Sequence, residues 1–342
     1  MSKLTNPSLL LLRNDEELVG QSILVVNFEQ DSFLQELKAL NPNAAITAFS
    51  YNHANAQYAS KINGIRAVVD HTIPEGNYDL VIYYYPKAKP EALMCLDNIR
   101  AICKEDAQLL IVGENKGGVK SAEKQLKDLC GFSNKIDSAK HCILYLFSEL
   151  TLNDSFDISR YHKPFQVKAG DLEFTAISVP GVFNHGALDV GTAVLLNNAP
   201  NISKGKVLDF ACGAGVIAAY LGIKHPDLVF TCSDVSALAT YATTQTLALN
   251  NLQGDAILSD GLESIDGKFD LIISNPPFHT GIATDYTIAE AFLANAKQHL
   301  TKQGKLTIVA NSFLKYPPIL EAQFGQYTTD FKNTKFSVYS AS

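Results

Sequence analysis

The chain has 342 residues, of which 46% are hydrophobic and 18% are charged, and its formal net charge is −7. This length favours two domains, and the acidic balance excludes nucleic-acid binding driven by bulk charge, although it leaves room for a local basic patch. No apolar run approaches the ~20 residues that a membrane helix needs. The N-terminal run SLLLL is followed at once by RNDEE, which predicts one face of a first helix and no secretion signal. We therefore expect a cytoplasmic protein without membrane contact.

The six cysteines and eight histidines show no metal-binding pattern. No two cysteines form a C-x-x-C pair, and none has metal-ligand spacing with a histidine. We interpret the cysteines as buried, reduced side chains and expect no metal site.

The second half of the chain alternates apolar strands with helical stretches. The predicted helices cover residues 237–251 and 285–300, and a β-hairpin is predicted at 165–179. The predicted strand segments are 206–216, which enters a glycine-containing turn, 228–234, 268–278, which stops on Asn-Pro-Pro-Phe, and 305–313. This alternation predicts a parallel sheet covered on both faces.

The first half repeats this order of strands. The corresponding apolar segments are 22–31, 44–54, 77–92 and 107–118. The repeat predicts two tandem Rossmann-like α/β domains, residues 1–160 and 161–342. The first copy has NFEQD after its first strand, without glycine, and YYYPK after its third, so the architecture is repeated and the chemistry is not.

The segment VLDFACGAGVIA, residues 207–218, predicts a ligand loop. Gly213 and Gly215 allow a tight turn and close approach of a ligand to the backbone. Gly213-x-Gly215-x-x-Ala218 also fits the dinucleotide-binding pattern, and Asp234 follows about twenty residues later. Asp209 disfavours a pyrophosphate and favours a cationic group, such as the amino group of a methionine moiety.

Two further acids stand at predicted strand ends. Asp234 suits a bidentate hydrogen bond to ribose hydroxyls, although an acid in SDVSAL also suits a helix N-cap. Asp260 could accept a hydrogen bond from an adenine amine, and a plain Asp-Gly turn explains it nearly as well.

The strand at 268–278 ends on Asn275-Pro276-Pro277-Phe278. The Asn275 side-chain carbonyl and the Pro276 backbone carbonyl are two acceptors, which together can hold the hydrogens of an –NH₂ group. The prolines fix φ, so these acceptors are held in place before a substrate binds. Phe278 offers a flat face on which a base can stack.

These motifs together are similar to those of class I S-adenosylmethionine methyltransferases that modify exocyclic amines. The segments YYYPKAKPEA, VGENKGGVKSAEKQL, VPGVF, LDVGT and IVANSFLKYPPIL extend the likeness. With them, nearly the whole chain resembles the ribosomal RNA small-subunit methyltransferase C family.

The resemblance implies two tandem methyltransferase-fold domains, the first a degenerate copy without a cofactor site that binds RNA or is structural. It implies guanine-N2 methylation of 16S rRNA within the small ribosomal subunit, with S-adenosyl-L-methionine as the cofactor, and we expect a monomer. It assigns cofactor binding to Asp189, Gly191, Thr192, Asp209, Gly213, Gly215, Asp234 and Asp260. It assigns the target amine to Asn275, Pro276 and Phe278.

The chain departs from the family at Ala211, where the family turn usually has glycine. A positive φ at this position would cost on the order of 1 kcal/mol and could weaken cofactor affinity. In the first half, residues 113–140 carry a local excess of lysine. Lys116, Lys120, Lys124 and Lys127 recur at helical spacing, which predicts one helix face that contacts RNA phosphates. An ordinary solvated helix face explains the same spacing nearly as well.

Other functions remain open from the residues themselves. Adenine-N6 and protein-glutamine methyltransferases share the Asn-Pro-Pro motif, more often with tyrosine after it. A nicotinamide-dependent enzyme would explain the glycine loop without Asn-Pro-Pro-Phe, and a non-catalytic RNA-binding protein would explain the first half only.

Overall fold

A computed structural model of the chain describes residues 3–277 and 283–342. The chain folds into two compact units, Met1–Tyr161 and His162–Ser342. The division lies one residue from the boundary expected at residue 160. Within the described ranges, no helix combines the length and the hydropathy of a membrane span.

The first unit alternates helices with strands. Its helices are α1 (Asn6–Leu12), α2 (Phe33–Leu40), α3 (His53–Ser60), α4 (Lys89–Arg100) and α5 (Ser121–Leu126). Its strands are β1 (Ser22–Val26), β2 (Ala45–Ser50), β3 (Ile65–Val69), β4 (Tyr78–Tyr84), β5 (Cys103–Glu114), β6 (Cys130–Ala139) and β7 (Cys142–Leu150). Short 3-10 helices cover Asp15–Leu18, Asn115–Gly117 and Ile158–Tyr161.

The second unit begins with the predicted hairpin, whose turn contains Gly170 at φ 58°. The hairpin strands are β8 (Lys163–Ala169) and β9 (Leu172–Ser178). The helices are α6 (Val190–Asn197), α7 (Val216–Lys224), α8 (Ala237–Leu249), α9 (Ala283–Gln298) and α10 (Tyr316–Phe324). The remaining strands are β10 (Lys204–Phe210), β11 (Asp227–Asp234), β12 (Gly254–Leu258), β13 (Phe269–Ser274), β14 (Leu300–Asn311), β15 (Tyr327–Lys332) and β16 (Phe336–Ala341).

Each unit, within the described residues, is built on a seven-stranded sheet. The strand orders are β3-β2-β1-β4-β5-β7-β6 and β12-β11-β10-β13-β14-β16-β15. The second order repeats the first strand for strand, which confirms the predicted duplication. The order reverses between β10 and β13, and ligands of open α/β sheets bind beyond the carboxyl ends of the strands at such a point.

The sheets are not wholly parallel, so the prediction of a parallel sheet is wrong for one strand of each, β7 and β16, neither of which was among the predicted strands. The first five strands run parallel, while β7 pairs antiparallel with both β5 and β6. In the second unit β16 pairs in the same way with β14 and β15. The last two strands of each unit follow one another without a crossover helix, and such a connection gives an antiparallel pair.

The central strands are buried on both faces, as parallel sheets require. In β13, Leu271, Ile272 and Ile273 are at most 1% exposed. Helices cover both faces of these strands. The helix α10 has prolines in its first turn, where the backbone N–H that proline lacks would have no partner within the helix.

The predicted helix face of four lysines forms only in part. Residues 115–117 form a 3-10 helix, Gly118 then takes φ +88°, and α5 covers only Ser121–Leu126. The glycine separates Lys116 from the other three lysines. Lys120, Lys124 and Lys127 keep helical spacing along α5 and its two capping residues. Four exposed lysines remain on this segment, Lys116, Lys120, Lys124 and Lys127.

Candidate active site

A cavity of about 600 Å³ lies in the second unit, beyond the carboxyl ends of β10, β11 and β13. This volume is typical of small-molecule sites. Five residues predicted from the sequence to bind the cofactor line it, together with Asn275 from the target-amine motif. The five are Asp189, Thr192, Gly213, Asp234 and Asp260.

The turn after β10 forms one wall of the cavity and contains three residues with positive φ. Ala211, Gly213 and Gly215 have φ of 56°, 56° and 71°. No atom lies within 4 Å of the position that a Cβ would take at Gly213. The missing side chain therefore leaves backbone that a ligand can touch.

Gly215 has a different role. A Cβ there would lie 3.0 Å from the Cα of Thr243 on α8, and Gly215 does not line the cavity. Gly215 allows the start of α7 to pack closely on α8. It does not lie at the cavity wall, where the sequence predicted a direct cofactor contact.

Ala211 has the positive φ that the sequence analysis considered for this position. It takes φ 56° with a Cβ attached, a conformation that costs an L-residue about 1–2 kcal/mol. Ala211 also lines the cavity.

Asp234 ends β11 and faces the cavity with both carboxylate oxygens held by backbone amides. Oδ1 accepts a hydrogen bond from Ser236 N at 3.0 Å, and Oδ2 accepts one from Gly213 N at 3.1 Å. Burial raises the pKa of Asp234, and these amides oppose the shift. The N-cap of α8 is Ser236, so the alternative in which Asp234 caps this helix is wrong.

Asp260 follows β12 and is exposed at the cavity wall. The next residue, Gly261, has φ +56° and no atom within 4 Å of its Cβ position. This turn therefore presents a carboxylate and an open stretch of backbone to the same space.

Asp209 lies outside the cavity wall, contrary to the direct contact expected from the sequence. It belongs to β10, is 0% exposed, and its Oδ2 accepts a hydrogen bond from Ala218 N at 3.1 Å. Its Oδ1 has no hydrogen-bond partner among the described residues. Burial raises the pKa of Asp209 to about 8, opposed by the Ala218 amide and reinforced by the charge of Asp234.

Asn275 is held by the start of α6. Its Nδ2 donates to Asp189 Oδ2 and to Thr192 Oγ1, each at 2.9 Å. Asp189 is also the N-cap of α6, where it accepts a hydrogen bond from Thr192 N. A flipped amide would place two acceptors, Asn275 Oδ1 and Asp189 Oδ2, against each other. The amide orientation is therefore fixed, and Oδ1 accepts no hydrogen bond from the described residues.

Gly191 makes this contact possible without lining the cavity. A Cβ at Gly191 would lie 3.0 Å from Asp189 Oδ2, 3.2 Å from Phe336 Cε1 and 3.6 Å from Asn275 Nδ2. A larger residue would press on the Asp189 carboxylate that holds the Asn275 amide and on the Phe336 ring, while the amide itself lies at an ordinary contact distance. Gly191 thus supports the target-amine side of the site.

A second, smaller cavity adjoins the first, and Pro276 lines it together with Asn275. The third residue of the predicted target-amine set, Phe278, lies outside the described residues.

The sequence reasoning missed several cavity residues that are apolar. Phe210 and Phe292 stack with ring centroids 4.2 Å apart at 21°, and both line the large cavity. Phe183 lines both cavities and is 60% exposed. An apolar residue in a strand or helix carries no sequence signal that separates a cavity wall from a core. Phe183 is the last residue of VPGVF, one of the segments that carry the family resemblance.

The first unit has different residues at the matching positions. Phe210 pairs in register with Ser274 and Ser233, as Val26 pairs with Tyr83 and Phe49. The residues that follow therefore correspond, and Ser50 occupies the position of Asp234 while Tyr84 occupies that of Asn275.

The hydrogen bonds that hold the strand-end side chains are retained in the first unit, although the carboxylate and the amide are not. Ser50 Oγ accepts a hydrogen bond from Asn52 N at 3.1 Å, as Asp234 Oδ1 does from Ser236 N. Tyr84 OH lies 2.9 Å from Ser8 Oγ on α1, as Asn275 Nδ2 lies 2.9 Å from Thr192 Oγ1 on α6. The β1–α2 connection, which corresponds to the glycine turn, contains the buried ring of Phe28, and α2 begins with the buried Phe33.

Two family models match the chain, one in each half. The Methyltransferase small domain matches residues 173–340, and the Methyltransferase small domain N-terminal matches residues 8–165. The ribosomal RNA small subunit methyltransferase C of Pseudoalteromonas translucida is 71% identical over 341 residues, covering 100% of both chains. The chain belongs to the ribosomal RNA small subunit methyltransferase C family.

Other members of the family agree with this assignment. The enzyme of Colwellia psychrerythraea is 38% identical over 348 residues, covering 99% of this chain and 98% of the relative. A solved T. thermophilus 16S rRNA N2 methyltransferase, in complex with AdoMet and guanosine, matches with a TM-score of 0.81 over 94% of this chain and 88% of its own. It is 22% identical, so this match shows a shared fold.

Proposed function

We propose that this methyltransferase transfers the methyl group of S-adenosyl-L-methionine to the exocyclic N2 amine of a guanine in 16S rRNA. The observation that carries the proposal is the fixed amide of Asn275. Both hydrogens of its Nδ2 are taken by Asp189 and Thr192, so its carbonyl oxygen is available for a substrate –NH₂ group. Family membership supports the same reaction.

The large cavity fits the cofactor by the chemistry of its walls. Gly213 and Gly261 leave open backbone at two turns. Asp234 and Asp260 supply carboxylate acceptors at the ends of neighbouring strands, which suit ribose hydroxyls and an adenine amine. We assign both acids and Gly213 to cofactor binding, with Asp189 and Thr192 toward the methionine end. When bound, S-adenosylmethionine supplies a methyl group activated by a positively charged sulfur.

The residues of the chain act on the amine. Asn275 Oδ1 and the Pro276 carbonyl accept its two hydrogens and hold its nitrogen in place, which favours the reactive geometry. The nitrogen lone pair of guanine N2 is delocalised into the ring, so the amine is a poor nucleophile. The two acceptors stabilise the positive charge that develops on nitrogen as it gains a methyl group. A proton becomes acidic only at that stage and leaves to solvent, so no strong base is required beforehand.

Access to a base requires that the guanine leave its stack in folded RNA. We infer that the first unit contributes to RNA binding or stabilises the second, and that it binds no cofactor. Ser50 and Tyr84 offer no carboxylate and no amide carbonyl at the matching positions, and the aromatic ring of Phe28 is buried in the connection after β1. The exposed lysines of residues 116–127 are suitable contacts for phosphates.

The proposed substrate also indicates the cellular compartment of the reaction. Ribosomal RNA is a cytoplasmic substrate, so we infer that the enzyme acts in the cytoplasm on rRNA of the small subunit. That it acts as a monomer stays a prediction.

The direct test is to identify the methylated nucleoside. Small subunits from a strain that lacks this enzyme are incubated with the purified protein and isotopically labelled S-adenosylmethionine, and the rRNA is digested and analysed by mass spectrometry. We expect label in N2-methylguanosine at one position. Label in N6-methyladenosine or in ribosomal protein would replace the proposed reaction by one of its alternatives. S-adenosylhomocysteine should raise the melting temperature of the protein where NAD does not.

A further inference from the structure

The cavity that adjoins Asn275 has a volume of about 190 Å³. This equals roughly six water molecules at ~30 Å³ each, which suits one planar base and not a whole nucleotide. Asn275, Asp189 and Phe183 line both this cavity and the large one. A base in the small cavity would therefore meet the cofactor site at Asn275.

Asn311 contributes a second carboxamide to the small cavity. It is the last residue of β14, the strand next to β13 in the sheet. Unlike that of Asn275, its side chain makes no hydrogen bond to any residue that the structure describes. Both its acceptor and its donor are thus available to a ligand.

Phe336 lies beside Asn311 on the neighbouring strand. The two residues are register partners in the antiparallel pair of β14 and β16, and such partners place their side chains on the same face. Phe336 is half-buried, and its Cε1 lies 3.2 Å from the Cβ position of Gly191, which adjoins Asn275. An aromatic ring, a free carboxamide and the fixed carbonyl of Asn275 therefore meet around one small space.

The order of polar groups on a purine edge selects among bases. Beside the N2 amine, guanine presents the N1–H donor and then the O6 acceptor. A carboxamide meets both at once, because Oδ1 accepts from N1–H while Nδ2 donates to O6. Adenine presents beside its amine the N1 acceptor and then a carbon-bound hydrogen, and cytosine presents two acceptors. Neither satisfies both halves of the carboxamide.

We propose that Asn311 is a specificity-determining residue that reads the N1–H and O6 groups of the target guanine, while Phe336 packs against the base. This inference rests on the proposed guanine-N2 activity. It assigns the amine to Asn275 and Pro276, and the identity of the base to Asn311.

The test compares two bases that both carry the N2 amine. A 16S rRNA is prepared by ligation with either guanine or 2-aminopurine at the modified position, because 2-aminopurine lacks both N1–H and O6. We expect the wild-type enzyme to prefer guanine by about 10- to 100-fold in kcat/KM, the range of one bidentate contact. Asn311→Ala and Asn311→Leu should lower kcat/KM for guanine and reduce this preference to less than about 3-fold.

Controls separate the inference from the proposed function. Calorimetry with S-adenosylhomocysteine should give unchanged affinity for both variants, which shows that the second unit remains folded. If either variant fails to bind S-adenosylhomocysteine, Asn311→Gln takes its place, because it keeps the carboxamide on a longer side chain. Asn311→Gln should retain more of the preference for guanine than whichever of Asn311→Ala and Asn311→Leu remains folded. A preference for guanine that survives in Asn311→Ala and Asn311→Leu would overturn the role of Asn311 and leave the proposed function standing. A wild-type enzyme that forms no N2-methylguanosine would instead overturn the function itself.

Discussion

Asn275 Nδ2 donates a hydrogen bond of 2.9 Å to Asp189 Oδ2, although the two residues are 86 positions apart in the chain. The same carboxylate oxygen caps the first turn of α6 through Thr192 N. The orientation of the amide that we assign to the target amine is therefore set by a helix start. Substitutions at Asn275 should act on chemistry more than on cofactor binding, whereas substitutions at Asp189 should affect both.

Replacing Asn275 by alanine should remove an acceptor for the developing charge. We expect kcat to fall by ~100-fold or more, since loss of one such group typically costs this much. Affinity for S-adenosylhomocysteine, measured by calorimetry, should not change. Asn198→Ala is a matched control, because among the described residues the Asn198 side chain donates only to Val194 O, at the other end of α6. Near-normal turnover in Asn275→Ala would contradict the assignment.

Gly213→Val should abolish or strongly weaken cofactor binding. The added side chain would occupy the open space beside the turn, and its φ of +56° disfavours any Cβ. Gly267→Val is the control, because Gly267 also has positive φ and an open Cβ position but does not line the cavity. Both variants should lose stability, and only Gly213→Val should lose S-adenosylhomocysteine affinity. Equal affinities in the two variants would place the cofactor elsewhere.

The stability of the protein should depend on pH through Asp209. Its pKa in the folded state is about 8, well above the ~3.9 of an unfolded aspartate. The folded chain then holds a proton that the unfolded chain has lost, so the stabilising contribution is complete below about pH 4 and is lost as pH rises through about 8.

Asp209→Asn should remove this pH dependence. An asparagine cannot ionise, and its Oδ1 can still accept from Ala218 N. The free energy of unfolding of the wild type, relative to this variant, should fall by up to about 1.4 kcal/mol per pH unit between pH 5 and 8. Urea denaturation across this range measures the difference. Parallel curves for the two proteins would show that Asp209 does not titrate in this window.

Ala211→Gly should stabilise the protein by about 0.5 kcal/mol, because relief of the positive-φ strain exceeds the entropy cost of glycine. Cofactor affinity should stay equal or rise. Asn27 has the same φ of 56° after β1 in the first unit, and asparagine tolerates this conformation better than alanine. Asn27→Gly should therefore gain less. A loss of stability in Ala211→Gly, measured by thermal denaturation, would contradict the strain argument.

The lysines of the first unit should contribute to affinity for rRNA. Changing Lys116, Lys120 and Lys124 together to glutamate should raise KM for small subunits and flatten its salt dependence, by about 0.7–0.9 in log–log slope per lost phosphate contact. Cofactor affinity should not change.

A charge-matched control uses lysines at the amino ends of β13 and β14, away from the catalytic edge of the sheet. These are Lys268, Lys302 and Lys305. Equal effects of the two triple variants would show that total charge matters and that residues 116–124 have no special role.

The sequence located the turns after β10, β11 and β13, because each strand is a short apolar run followed by a polar or glycine-containing turn. It located Asp234, Gly213 and Asn275 for this reason. Most predicted segments nevertheless extend past the observed strand ends. The sequence could not show that Asp209 is buried within β10, because a strand and its turn join there without a break in pattern. Nor could it show the fixed amide of Asn275, which depends on Asp189 far earlier in the chain.

Two other limits have local causes. Gly118, with φ +88°, interrupts a lysine spacing that looks helical, and only backbone geometry reveals the interruption. The antiparallel strands β7 and β16 were not among the predicted strands, although both are largely buried. Their direction follows from a short connection that the apolar pattern does not specify.

The first unit retains the bonds from Tyr84 to Ser8 and from Thr5 to Ser8, the latter at 3.0 Å, at the positions where the second unit holds Asn275, Thr192 and Asp189. A clasp between a helix start and a strand end thus persists where an amine would have nothing to bind. The duplicated units therefore separate two roles within one chain. The clasp is a feature of the shared fold, and the identity of the strand-end residue that it holds determines whether the unit can act on an amine. An amine-binding site could therefore be designed into an inert Rossmann-like domain by two changes. The strand-end side chain would be replaced, and the large side chains would be removed from the turn after the first strand, while the clasp is already present.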